Sequence, residues 1–265
     1  MAMKIFDIHS HVLPGIDDGS QSWDETMQMV FQAYETGTTD LAITHHILHN
    51  SDYERENEIL EKFEELKSRL AQAKIPLRLH LGSEIYYQHD MDLNHKITTY
   101  NQNGKYFLVE FPMQGIPKFV DEKFFEIIVD GKVPILAHPE RNLGILQNPV
   151  RAYEFVQRGV LMQVNAGSFV GRYGEPARQM AIALMNARLV HFIGSDGHNA
   201  TRRPVIVHDA LEFIVERWGE RTASLLFEHN PQKAMNGEEI KIPEPLPIEP
   251  PKKRSRFKLF RRFGF

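Results

Sequence analysis

The chain has 265 residues, 42% hydrophobic and 25% charged, with no cysteine and no apolar run near the roughly 20 residues that cross a bilayer. This composition suits a globular fold and excludes disulfides, thiolate metal sites and thiol nucleophiles, including those of cysteine-based phosphatases. The formal charge of −4 hides an asymmetry. Residues 252–265 carry seven Lys/Arg and no acid, leaving 24 basic against 35 acidic residues elsewhere, a balance that argues against nucleic acid as a partner.

The N-terminus, MAMKIFDIHSH, lacks an apolar signal-peptide core, and the protein reads as cytoplasmic. Strands are expected at Lys4–Ile8, Thr39–Ile43, Leu77–Leu81, Tyr106–Phe111, Val133–Ala137, Val160–Val164 and Leu189–Ile193. Helical stripes lie between them. Trp23, Met27, Val30, Phe31 and Tyr34 form the first, with Ser22 and Glu25 spaced as a capping box and Gly37 as the stop. Ile59, Phe63, Leu66 and Leu70 form the second; Phe124, Ile127 and Ile128, ending near Gly131, form the third. These stripes read as core packing. Alternating strands and helices imply a parallel α/β sheet, either doubly wound or closed into a barrel. Residues 1–240 form the expected domain; residues 241–265 form a Pro-rich linker and a basic aromatic tail.

The strand exits carry the chemistry. The first strand runs into His9, His11, Asp17 and Asp18; the second into His45 and His46; the third into Glu84. The fourth holds Glu110, the fifth ends at His138, and the seventh at Asp196 and His198; the sixth ends at Asn165, with no obvious ligand. In a parallel barrel all these ends open on one face, so six of the seven exits would deliver ionisable groups to one place. His9 and His11 lie two apart, as two ligands on one side of a strand would. Glu110 sits in an apolar strand, where a carboxylate needs a compensating cation. No G-x-S-x-G, Walker A or G-x-G-x-x-G motif is present.

DIHSHVLPGIDDG (7–19), THH (44–46), GSEIYY (82–87), LVEF (108–111), AHPERN (137–142) and GSDGHN (194–199) resemble the polymerase and histidinol phosphatase (PHP) superfamily. Within it they most resemble the CpsB/CapC-type protein tyrosine phosphatases, over nearly all of residues 3–236. The resemblance implies a distorted TIM-like (β/α)7 barrel with its metal site at the C-terminal ends of the strands. It implies three divalent metals: one on His9, His11, Glu84 and Asp196, one on Glu84, Glu110 and His138, and one on Asp18, His46 and His198. Asp17 and His45 stand in reserve. Arg141 and Arg203 are the implied phosphate-gripping arginines, and Arg202 could exchange with Arg203.

The resemblance further implies Mn²⁺, with Fe²⁺ or Zn²⁺ also compatible with imidazole and carboxylate ligands. The implied substrate is a phosphotyrosyl protein, an autophosphorylating tyrosine kinase of capsule or exopolysaccharide synthesis, hydrolysed by water activated at the metals. A histidinol-phosphatase-like small-molecule phosphomonoesterase is the nearer alternative, and a non-catalytic metal-binding regulatory module the farther one. The tail, with Phe257, Leu259, Phe260, Phe263 and Phe265 among Lys and Arg, suits a peripheral contact with anionic membrane at the inner face. The helical surface at 54–74 is a candidate for self-association.

Overall fold

The computed structural model describes residues 3–248. Seven strands form one sheet in chain order, every neighbouring pair parallel: β1 (Phe6–Asp7), β2 (Asp40–Ile47), β3 (Arg78–Tyr86), β4 (Tyr106–Glu110), β5 (Val133–Ala137), β6 (Leu161–Asn165) and β7 (Phe192–Gly194). Beyond the ends of β1 and β7 the sheet closes. Ser10 and Gly197 form a parallel bridge, and Asp196 N–H donates to the His9 carbonyl at 2.8 Å. The helices α1 (Trp23–Glu35), α2 (Glu56–Gln72), α3 (Val120–Val129), α4 (Leu143–Gln147), α5 (Val150–Gln157), α6 (Ala166–Phe169) and α7 (Glu175–Asn186) lie in the connections, and α8 (His208–Trp218) follows β7. The closed seven-stranded form, rather than an open sheet, is the one adopted.

Strand residues alternate between two apolar layers. Phe6, Ile8, Ala42, Leu108, Ile135, Ala137, Leu161 and Phe192 pack together inside the barrel, while Leu41, Ile43, Phe107, Val109, Leu136, Met162, Val164 and Ile193 pack against the helices. Tyr100, from the β3–β4 connection, plugs the interior: its hydroxyl donates to the Ile8 carbonyl at 2.9 Å. A Cβ at position 82 would stand 2.9 Å from the Tyr100 ring, so only Gly82 admits that plug.

Two strands outrun their expected ends. β2 continues to Ile47 and β3 to Tyr86, so His45, His46 and Glu84 lie within strands rather than after them. The expectation stopped each strand where its apolar run stopped; the ladder continues because these polar side chains are themselves largely buried, on one face of the sheet or the other. One helical stripe also differs. α1 buries Thr26, Met29, Val30 and Ala33, whereas Phe31 and Tyr34 are exposed. Two apolar rows run along that helix about one residue apart, and only one can face the sheet.

At the barrel's other end, buried Asp40 accepts hydrogen bonds from Arg78 Nε at 2.7 Å and Thr39 Oγ1 at 2.8 Å, and lies 3.0 Å from His80 Nε2. Burial pushes this carboxyl up, but His80, Arg78 and Thr39 outweigh it and hold the pKa at about 2. A depressed acid stabilises the fold above its unfolded pKa and loses that contribution as pH falls through the folded value. Asp40→Ala should therefore lower the Tm by about 2–8 °C at neutral pH. The difference from wild type should shrink between about pH 4 and pH 2, which thermal melts across that range would check.

Residues 241–248 are extended, as the prolines require, but docked: Leu246 N–H donates to the Ala187 carbonyl at 2.8 Å, and Ile242 and Ile248 pack on the core. The tail at 252–265, with its expected membrane contact, lies outside the described residues. Among those described, no helix is long and apolar enough to cross a membrane.

Candidate metal centre

The C-terminal ends of the strands surround a cavity of about 570 Å³ lined by seven of the nine candidate ligands and both arginines, with His9 and His11 buried behind the wall at 3.0 and 3.3 Å from Glu84 Oε2. Strand register explains which side chains arrive. His46 pairs with Glu84 across β2 and β3, and Tyr86 with Glu110 across β3 and β4. Residues one apart point to opposite faces, so His46 enters the mouth while His45 turns outward to Ser83 Oγ, 3.2 Å away. Burial lowers His45 to a pKa of about 4. Three groups have ligand atoms close enough for one ion: His9, His11 and Asp196; His46, Glu84 and Glu110; and His11, Asp18, His46 and His198. His138 Nε2 stands 3.0 Å from Glu84 Oε1 and 3.6 Å from Glu110 Oε1. The grouping thus differs in detail from the expected one, with His11 and His46 each shared between two sets.

The imidazole hydrogen bonds test whether a cation fits. His9 Nδ1 meets the Gln163 carbonyl oxygen at 2.9 Å, His11 Nδ1 meets Asp17 Oδ2 at 2.8 Å, and His198 Nδ1 meets the Asp196 carbonyl at 3.0 Å. Each partner only accepts, so each Nδ1 carries a proton and Nε2 is the nitrogen whose lone pair a cation would take, displacing any proton there. His9 Nε2 and His11 Nε2 then face one another at 3.1 Å, an arrangement that asks for a shared electrophile. Glu84 Oε2, wholly buried, finds no hydrogen-bond donor although His9, His11 and His46 nitrogens lie 3.0–3.3 Å away. The donor set fits divalent cations.

Charge reinforces this fit. Burial alone would lower His9 and His46, but Glu84 and Asp196 raise His9 to about 9, and Glu84, Asp18 and their neighbours raise His46 to about 10. Burial and the adjacent Glu84 push Glu110 up. His138 and Asp196 hold left-handed backbone, φ 32° and 53°, conformations that cost energy and cluster where a side chain must be aimed. At β7, a Cβ on Gly194 would lie 2.6 Å from His9 Cβ, so a glycine there lets β7 close against β1.

Arg141 Nη1 donates to Asp196 Oδ2 at 2.8 Å and Arg203 Nη2 to Asp196 Oδ1 at 2.6 Å, placing two guanidinium groups on the cavity wall. Arg202 is exposed and does not line the cavity; the Asn199 carboxamide accepts from the 201, 202 and 203 backbone N–H groups and turns Arg203 inward.

β6 brings no ligand, yet the structure gives two of its residues a role. Gln163 orients His9, donates its amide to Asn165 Oδ1 at 2.9 Å, and Asn165 in turn donates to Asp196 Oδ2 at 2.7 Å. Two amides at alternate positions of a buried, otherwise apolar strand were the legible signal. Asp17, held in reserve as a ligand, instead braces the far nitrogen of His11 and accepts from His46 N–H at 2.9 Å. Asn165→Ala should cost about 10–100-fold, on the order expected for a residue that orients a ligand, in metal affinity or activity. Metal titration of the variant checks this; wild-type affinity and turnover would show that the amide relay is idle.

A parallel barrel whose strand ends carry converging imidazoles, carboxylates and arginines defines a metal-centred barrel suited to hydrolysing a phosphate ester. Residues 5–236 match the family described as capsular polysaccharide synthesis, CpsB/CapC, and the chain belongs to that family. It is 32% identical to the tyrosine-protein phosphatase YwqE of Bacillus subtilis over 97% of this chain and 100% of the relative. It is 35% identical to the putative tyrosine-protein phosphatase CapC of Staphylococcus aureus over 76% of this chain and 80% of that one. Among solved structures it is similar to those of YwqE from Bacillus subtilis and CpsB from Streptococcus pneumoniae, described as unique metal-dependent tyrosine phosphatases. That match has a TM-score of 0.85, 30% identity, and covers 92% of this chain and 100% of the other.

Proposed function

We propose that the protein is a Mn²⁺-dependent tyrosine phosphatase that hydrolyses phosphotyrosine on a protein substrate, a tyrosine kinase of polysaccharide synthesis or export. The observation that carries the reading is the meeting of two opposed devices in one cavity: inward lone pairs on His9, His11 and His198 for cations, and Arg141 with Arg203 for an anion. The family description and the relatives' names supply the polysaccharide and tyrosine parts.

His9, His11, Asp18, His46, Glu84, Glu110, His138, Asp196 and His198 would hold the metals, with nitrogen and oxygen donors that suit Mn²⁺ and also admit Fe²⁺ or Zn²⁺. Bound divalent cations supply Lewis acidity and lower the pKa of water from about 15.7 toward 7. Arg141 and Arg203 would turn their N–H donors to the phosphoryl oxygens and spread the charge of the transition state. Part of the remaining wall is apolar. Ile16, Ile47, Leu48, Tyr86 and Met113 line the cavity beside the cluster and offer a surface to an aromatic ring. Arg55 donates to the Ile16 carbonyl at 2.7 Å and the Gly15 carbonyl at 2.9 Å, fixing the loop that carries Asp17 and Asp18. A phenol leaves with a pKa of about 10, which lessens the demand for a general acid.

The deciding experiment offers the Mn²⁺-loaded protein a phosphotyrosyl peptide and histidinol phosphate side by side. Faster turnover of the peptide supports the proposal; preference for histidinol phosphate makes the protein a small-molecule phosphatase. The proposed position at the inner membrane face rests on the composition of residues 252–265. Deleting them should reduce binding to anionic vesicles while leaving peptide turnover intact, and unchanged vesicle binding refutes that part.

A further inference from the structure

Between α6 and α7 the chain makes a tight turn built on two glycines. Gly171 and Gly174 both adopt positive φ, 80° and 85°, and Gly174 N–H donates back to the Gly171 carbonyl at 3.0 Å. Arg172 N–H donates to the Gly167 carbonyl at 2.9 Å. The turn holds Tyr173 against Gly167, where an added Cβ would come within 3.0 Å of the Tyr173 ring. The ring therefore stands in a slot that a larger residue at position 167 would fill.

The Tyr173 ring also meets an arginine. The Arg141 guanidinium lies 4.2 Å from its centroid. The turn is tied to the arginine segment by a second route. Glu140, fully buried next to Arg141, accepts from Ser168 Oγ at 2.6 Å and from Asn165 N–H at 3.1 Å. Tyr173 does not line the cavity, whereas Arg141 and Arg203 do.

We propose that Tyr173 is a positioning residue that sets the plane of one phosphate-gripping arginine, Arg141, by stacking on its guanidinium. Stacking restrains a guanidinium while leaving all its in-plane N–H donors free, so the fork is oriented before the phosphate arrives. The inference rests on the reading of Arg141 and Arg203 as the anion grip.

The test is calorimetric titration of inorganic phosphate into the Mn²⁺-loaded full-length protein, with metal stoichiometry measured in parallel. Tyr173→Leu removes the stack and should weaken phosphate binding about 10–100-fold at unchanged metal content. Tyr173→Phe keeps the stack and should recover most of that loss. In an Arg141→Ala background, Tyr173→Phe and Tyr173→Leu should lie closer together than they do in the wild type, because the stack has nothing left to orient. Wild-type phosphate affinity in Tyr173→Leu overturns the proposal, as does an equal Phe-to-Leu gap in both backgrounds. If Tyr173→Leu does not fold, Gly167→Ala decides, because its Cβ would stand 3.0 Å from the ring and displace it from Arg141; wild-type phosphate affinity in that variant overturns the proposal. Unchanged phosphate affinity in both Arg141→Ala and Arg203→Ala would instead sink the anion-grip reading, and this inference with it.

Discussion

Stripping the protein of divalent cations is expected to abolish aryl-phosphate hydrolysis, and adding Mn²⁺ back to restore it. Glu84 is the residue through which this should be felt most. Its two oxygens stand 3.0–3.3 Å from nitrogens of His9, His11, His46 and His138, and it is completely buried. Glu84→Gln keeps the shape and removes the charge, and should lower kcat/KM by on the order of 10²–10³. A stability readout accompanies it. At a metal concentration about 100 times Kd, binding adds about 2.7 kcal/mol, which for a domain of this size raises the Tm by about 5–10 °C. Glu84→Gln should lose most of that gain.

The pH dependence has a sign that separates the two states. Without metal, His9 and His46 are raised to about 9 and about 10 by the surrounding carboxylates. Groups raised above their unfolded value near 6.5 stabilise the fold fully below that pH and lose the contribution as pH rises through about 9–10. Metal needs neutral imidazoles, so loading releases protons and apparent affinity rises over the same range. The metal-free protein should therefore soften between about pH 7 and 10 while metal affinity climbs. Hydrolysis that resists a chelator, or metal affinity that is flat with pH, would count decisively against the assignment.

The arginines give the second large effect. Arg141→Ala and Arg203→Ala should each reduce kcat/KM by about 10²–10³, because each removes a donor aimed where negative charge is held. Lysine should rescue poorly, since a point charge cannot reproduce the two-pronged grip. Arg202→Ala is the control. Arg202 is exposed, Arg203 reaches Asp196 at 2.6 Å, and the neighbour's loss should be nearly silent in steady-state kinetics. Equal losses at 202 and 203 would mean that the loop sits differently from the arrangement described.

Much of the candidate site could be read before any coordinates. His9, His11, Glu110, His138 and Asp196 stand out because ionisable groups follow apolar strand-like runs, which a folded chain tolerates only where something compensates them. The same strand exits offered Glu84, His198 and the adjacent pairs Asp17/Asp18 and His45/His46, and the resemblance then supplied the arginines. The pairs His45/His46, Asp17/Asp18 and Arg202/Arg203 stayed open, because adjacent residues of the same type give composition and spacing nothing to choose between.

Periodicity and punctuation in the chain were sufficient for the alternation of strands and helices and for the region where the chemistry gathers, since both depend on local burial patterns. For the His and Arg pairs, which member enters the cavity was settled only by folding: register turns His46 inward and His45 outward, and the Asn199 turn directs Arg203 rather than Arg202, while Asp17 and Asp18 both line the cavity and Asp17 also braces His11. Gln163, Asn165 and Tyr173 acquire their contacts from residues 31–154 positions away. Those contacts exist only once the barrel has closed, because a side chain's hydrogen-bond partner is a property of the assembled strands and not of its neighbours along the chain.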